Sequence, residues 1–245
     1  DQIFNNQYYK KSNWIYLLLP FSILFYCMSI LKNYLYKNGF LKRIKIKVPV
    51  LIIGNITLGG TGKTPLALNL ITKFLNEGLN PALISRGYGG TAKNITEVFE
   101  STNVRDVGDE ALLIKAKSKI PVFVGKNRVG AAKILLKKYP KTSIIISDDG
   151  LQHLRLARDY EIIVVDSQRN FGNGFIFPAG PLRESRSRLN QVDAVVYKGT
   201  SNNSKFYQMK YITKHFKNLI TSKNITFEGI QDKKIVAITA IGNPE

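Results

Sequence analysis

The sequence has a single cysteine, Cys27, only two histidines, and no acidic residue between Gln2 and Asn76. One cysteine excludes an internal disulfide framework and fits a reducing compartment. Nothing resembles a zinc ligand set. Acids are scarce overall, 17 against 36 Lys and Arg, for a formal charge of +19. That balance suits anionic partners: nucleic acid, anionic lipid or phosphorylated substrates. Lys, Asn and Ile are abundant throughout, so compositional bias explains the charge equally well. No nucleic-acid module signature is present, so no nucleic-acid partner is expected. No internal repeat is found. Hydrophobic residues make up 44% of the 245, enough for a sizeable buried core.

Charge is also missing from residues 12–31, "SNWIYLLLPFSILFYCMSIL". About 20 apolar residues can cross a bilayer as a helix. A monotopic helix lying in one leaflet is the close competitor, and a buried core helix the third reading. Pro20 would kink such a helix. Trp14, Tyr16 and Tyr26 suit a membrane interface. The stretch 32–47 that follows carries six basic residues and no acid, which places the downstream chain in the cytoplasm if the helix inserts. The chain begins at Asp1 and stops at "GNPE" just after an apolar run, so both ends are expected to be cut.

From residue 48 the pattern becomes α/β. "VPVLIIGN" (48–55) predicts a buried strand, and 64–76 a helix with Pro65 in its first turn and Gly78 at its stop. Further strands are expected at 81–87, 121–125, 143–150, 161–166, 193–199 and 234–242, with helices over 109–119 and 127–138. Alternating strands and helices predict a parallel sheet covered on both faces. Residues 167–190 form a long Gly/Pro loop of the kind that often carries function. Residues 200–233 are Lys/Asn-rich and weakly patterned. Three regions are expected: a membrane-associated helix with its basic collar (1–47), a P-loop core (48–199), and a linker opening a further lobe (200–245).

"GNITLGGTGKTP" (54–65) departs from the standard phosphate loop G-x-x-x-x-G-K-[ST], because Thr57 stands where the first glycine belongs. It nevertheless follows a strand and opens a helix. Gly59, Gly60, Thr61 and Gly62 would turn backbone N–H groups toward phosphate oxygens. The helix N-terminus adds its positive end. Lys63 would reach the β- and γ-phosphates of ATP, and the Thr64 hydroxyl would ligate Mg²⁺. The loop also fits a variant, x-G-G-x-G-K-[ST], whose usual lysine is replaced here by Leu58.

Such a site needs an acid at a neighbouring strand end to hold Mg²⁺. "IIISDD" supplies Asp148 and Asp149, at the sheet edge where ligands gather. Asp109 and Glu110 open the helix after Gly108, either as helix-capping acids or as the acid–base pair a kinase needs. His153 either orients substrate or is structural, and His215 is expected on the surface. Lys126 and Arg128 either contact phosphate or solvate a face.

Taken in order, "PVLIIGNITLGGTGKTP", "SRGYGG", "GDEALL", "VGKNRV", "SDDGLQH", "FGNG…PAGPLRE" and "RLNQVDAVV" resemble the tetraacyldisaccharide 4'-kinases of lipid A synthesis. The resemblance runs from about Trp14 to the C-terminus and is weakest over 200–233. It implies ATP- and Mg²⁺-dependent phosphorylation of the 4'-hydroxyl of a lipid A disaccharide 1-phosphate. It implies work among membrane lipids at the cytoplasmic face of the bacterial inner membrane. Lys63 and Thr64 become the P-loop pair, Asp148 and Asp149 the metal-side acids, and Asp109 the catalytic acid/base beside Glu110. Arg183 and Glu184 fall on functional loop positions, and Arg86 would handle phosphate. The family continues beyond this point with a histidine that works with the Asp109 position; this chain stops before one. The competing reading is a membrane-associated P-loop ATPase of the partitioning class, which would dimerise on nucleotide and transfer nothing to lipid.

Overall fold

The computed structural model describes residues 8, 13–200, 206–212 and shorter stretches between 216 and 236. His215 and the strand expected at 234–242, apart from Val236, lie outside the described residues.

Most of the described strands join one sheet, in the order β3-β4-β2-β5-β1-β6-β7-β8. They are β1 (Val50–Gly54), β2 (Pro81–Ser85), β3 (Thr96–Glu97), β4 (Val122–Val124), β5 (Ile144–Asp148), β6 (Tyr160–Asp166), β7 (Ala194–Lys198) and β8 (Tyr207–Met209). Every pairing is parallel except β3 with β4. The central strand β1 is buried along its whole length because it is covered on both faces. Its odd and even residues feed two different cores. Leu51 and Ile53 pack with Leu66, Ala67 and Ile71 of α2 (Lys63–Asn76) and with Ala111 and Ile114 of α4 (Asp109–Ser118). Val50 and Ile52 pack on the other face with Ala131, Ala132 and Leu135 of α5 (Arg128–Lys138). A single turn, α3 (Val104–Val107), precedes α4.

The N-terminal apolar run forms 3-10 turns over Asn13–Leu18 and then α1 (Leu19–Lys37). Pro20 therefore falls in the first α-helical turn, where no intrahelical bond awaits its missing N–H, rather than kinking a longer helix. By length and composition, 14–37 could cross a membrane. The helix is not a buried core element: Phe21, Leu24, Met28 and Leu31 are all exposed. A narrow seam docks it on the core. Ser22 is buried and its Oγ accepts the Ala179 N–H at 2.9 Å. Phe25 and Tyr16 meet Phe177 and Phe175 edge to ring. Lys32 Nζ donates to the Gln152 carbonyl at 3.2 Å.

Two strands of this sheet were not expected from the sequence. Edge strand β3 is antiparallel and two residues long, too short for a periodic signal. Strand β8 lies in the weakly patterned stretch after 199, and extends the core sheet past the end expected for it.

Candidate active site

The phosphate loop leaves the buried end of β1 and is braced from within by Asn55. This fully buried side chain donates through Nδ2 to the carbonyls of Thr57 at 2.8 Å and Gly59 at 3.2 Å. Gly59 and Gly62 take φ of 94° and 92°, which only glycine adopts at little cost, whereas Gly60 stays outside the left-handed region. Thr57 needs no such freedom. It bridges to Leu182, and on either side Leu58 N–H donates to Pro181 O at 2.8 Å and Arg183 N–H to Ile56 O at 2.7 Å. The "PAGPLRE" stretch thus runs beside the first half of the loop like an extra strand. That pairing fixes the backbone where the standard pattern uses a glycine.

Lys63, at the first position of α2, is mostly buried. Its Nζ donates to Asn55 Oδ1 at 3.2 Å and lies 3.4 Å from Asp149 Oδ1. Thr64 follows, half-buried. Asp148 ends β5, the immediate neighbour of β1, and pairs with Ile53 in register. Its carboxyl is buried, which raises its pKa to about 7 despite Lys63 nearby. Asp149 adopts a left-handed φ of 49°. Burial alone would raise its pKa, but Lys63, Arg183 and Arg128 outweigh burial and hold it below the ordinary carboxylate value. Arg183 reaches it at 3.7 Å.

Arg128 is buried, not solvating a face. It donates to Gly125 O at 2.7 Å, and burial lowers its pKa to about 10 against the pull of Asp149 and Asp148. His153 is pushed down to about 4 by burial and by Arg128, Arg158, Lys32 and Arg155, so the imidazole is neutral at physiological pH.

The "SRGYGG" and "GDE" segments touch through backbone. A methyl at Gly108 would lie 2.2 Å from Tyr88 O, and Thr91 N–H and Ala92 N–H donate to Arg105 O and Asp106 O. This contact brings the start of α4 to the sheet edge. Asp109 there is exposed, and its Oδ1 accepts the Glu110 N–H at 2.9 Å, a local cap. The electrostatic link to the loop runs through Glu110 instead. The residue is exposed, but desolvation of the carboxyl, with Asp109 and Asp149 nearby, raises its pKa against Lys63.

A cavity of about 730 Å³ opens beside Leu58 of the loop and reaches Asp149, Arg86, Arg128 and His153. Its other wall is α1, through Phe25, Met28 and Lys32. The helix side of the cleft thus carries apolar Phe25 and Met28 beside Lys32, and the opposite side Arg86, Arg128 and Arg183. Glu184 lines it too, but is tied back: it accepts Gln152 Nε2 at 2.8 Å and pairs with Arg188 at 3.3 Å. Gln152 also donates to Asn55 O at 3.3 Å. Asn55 and Gln152 escaped the sequence reading because an amide in a strand-end turn looks like any other turn residue.

The residues from 14 to 245 match the family model described as tetraacyldisaccharide-1-P 4'-kinase. The chain belongs to that family. It is 41% identical over 240 residues to the tetraacyldisaccharide 4'-kinase of Methylobacillus flagellatus, covering 98% of this chain and 72% of that protein. It is 39% identical to that of Pasteurella multocida, covering 98% of this chain and 74% of that protein. The crystal structure of LpxK from Aquifex aeolicus in complex with ATP superposes with a TM-score of 0.76 at 28% identity, over 90% of this chain and 72% of that one. The fold is accordingly the P-loop kinase fold of this family, with its apolar helix in front.

Proposed function

We propose that the protein transfers the γ-phosphate of ATP to the 4'-hydroxyl of tetraacyldisaccharide 1-phosphate, a step of lipid A biosynthesis. The observation that carries this reading is one cleft walled by both the phosphate loop and an exposed apolar helix. The ATP complex of the Aquifex aeolicus relative supports the nucleotide assignment.

In this reading the loop from Gly59 to Gly62 offers its N–H groups to the β- and γ-phosphates, and Lys63 leaves Asp149 to bind them. Thr61 Oγ1, buried without a hydrogen-bond partner, is free to join. The residues present also fit Mg²⁺. Asp148 Oδ2 is buried without a hydrogen-bond donor, and a divalent cation would compensate a carboxylate that burial otherwise holds near neutrality. Thr64, Asp148 and Asp149 would hold the ion, which neutralises charge on the phosphates. Asp109 takes the proton from the 4'-hydroxyl as the O–P bond forms and ADP leaves, with Glu110 coupling it to Lys63. Arg86, Arg183 and His153 line the acceptor side, and Glu184 keeps its loop in place.

The helix α1 and the basic residues after it anchor the enzyme at the cytoplasmic face of the inner membrane. Each Lys or Arg near an anionic surface is worth about 1 kcal/mol. Removing residues 1–38 should release the protein into the soluble fraction; continued pelleting with membranes would assign the anchor elsewhere. The decisive assay supplies purified protein, ATP, Mg²⁺ and labelled disaccharide monophosphate in detergent micelles. A labelled bisphosphate is expected. Lipid-independent ATP hydrolysis without bisphosphate would instead support the partitioning-type ATPase.

A further inference from the structure

Two separate chain segments meet at the cleft away from α1. The turn after β5 supplies Asp149, Gln152 and His153, and the end of the Gly/Pro loop supplies Arg183 and Glu184. A closed run of polar contacts joins these segments from behind. It starts at Arg158, whose side chain is only 8% exposed. Its Nη1 donates to Leu151 O at 2.9 Å and its Nη2 to His153 O at 2.8 Å, so one guanidinium grips the turn on both sides of Gln152. Nη1 also donates to Glu161 Oε1 at 2.8 Å, on β6. The other Glu161 oxygen accepts Arg188 Nη2, and Arg188 Nε stands 3.3 Å from Glu184 Oε2. Glu184 Oε1 accepts Gln152 Nε2 at 2.8 Å, which returns the run to the turn where it began.

We propose that Arg158, Glu161 and Arg188 are positioning residues that hold the turn after β5 and the 183–184 loop at a fixed separation, and so keep the acceptor side of the cleft in shape for the sugar hydroxyl. The inference rests on the kinase reading above and names what supports that site. None of the three lines the cleft, so they act through the residues that do. Glu161 is the base of the run, because pairing of β6 with Ile52 of β1 fixes its backbone. From there each arginine reaches one of the two segments, and a planar fork sets direction as well as distance. Two guanidinium groups offset two carboxylates, and removing any one leaves a buried partner uncompensated. The phosphate loop has its own brace in the Asn55 side chain. It meets the run only where Gln152 donates to Asn55 O at 3.3 Å. Loosening the run should therefore disturb the acceptor and spare the nucleotide.

The test compares wild type, Arg188→Gln and Arg188→Lys in three measurements: transfer to the disaccharide monophosphate, binding of a non-hydrolysable ATP analogue, and amide exchange. Arg188→Gln should lower kcat/KM for the acceptor about 10- to 100-fold, as a small misplacement of reacting groups does. Affinity for the ATP analogue should be unchanged. The His153 and Leu156 amides, hydrogen-bonded within the other segment, should exchange several-fold faster. Arg188→Lys keeps the charge but can bridge only one carboxylate, so it should show the same pattern at smaller size; it carries the test if Arg188→Gln does not fold. Faster exchange confined to residues 183–191, or equal loss of nucleotide and acceptor affinity, overturns the proposal. Exchange and nucleotide binding need no phosphate transfer, so a wild-type protein that fails the lipid kinase assay counts against the kinase reading while the run itself is still tested.

Discussion

Helices α1 and α2 both border the candidate site, yet they are held in opposite ways. Helix α2 presents a continuous apolar face, Leu66, Ala67 and Ile71, to the sheet and is fixed by folding itself. Helix α1 is longer and more apolar, but together with the 3-10 turns before it, it meets the core mainly through one serine hydroxyl, two aromatic edges and one lysine. Most of its remaining apolar side chains, among them Phe21, Leu24 and Leu31, are exposed. Burial in water drives the first arrangement and cannot drive the second. Helix α1 leaves an apolar surface of the kind that a membrane would cover.

That contrast can be broken at four points. The largest effect is expected at the N-terminus of α2. Lys63→Ala should lower phosphate transfer on the order of 10³-fold, as for loss of a preorganised charge-stabilising group, with the thermal midpoint little changed. Kinetics beside a melting curve check both halves. Further along α2, Ile71→Ala empties a fully buried position and should cost about 2–3 kcal/mol in denaturant unfolding. At the α1 seam, Ser22→Ala leaves the Ala179 N–H without its acceptor, at about 1 kcal/mol. Amide exchange at Ala179 should quicken several-fold while the centre of the sheet stays protected; an unchanged rate would mean that the seam does not depend on this bond.

The last effect concerns pH. The folded protein holds His153 down to about 4, below its ordinary value of 6.5. As pH falls, the unfolded chain takes up this proton first, so acid favours unfolding until pH passes below the folded value. The contribution is fully present above about pH 6.5 and is lost between there and about 4. His153→Asn should therefore show a shallower fall in thermal midpoint between about pH 7 and 5 than wild type. An identical slope would remove His153 from the acid response.

How far the sequence could be read follows the same division. Helix α2, strand β1 and the Asp148–Asp149 step were legible because strand, glycine turn and amphipathic helix are local patterns. Their bounds in the structure differ by a residue or two. The supports around them were not legible. Pairing of Leu182 with Thr57, and Gln152 joining Asn55 to Glu184, depend on segments far apart in the chain, and no periodicity records such contacts. A basic residue at a helix start fits either phosphate contact or a solvated face, and no local pattern tells that Arg128 is buried between Gly125 O and the two aspartates. Strand β8 was missed because Tyr207–Met209 lies in a Lys/Asn-rich stretch without the β-branched run that marks β4.

The two-residue strand β3 has a consequence of its own. An open sheet offers its edge to any extended chain that drifts by, and long flat edges seed aggregation. Here the edge beyond β4 is closed by Thr96 and Glu97 alone, and the Glu97 carboxylate is held by Lys138 and Tyr139. An incoming strand would find two residues to pair with and a charge beside them. This margin gives the sheet protection against templated self-association.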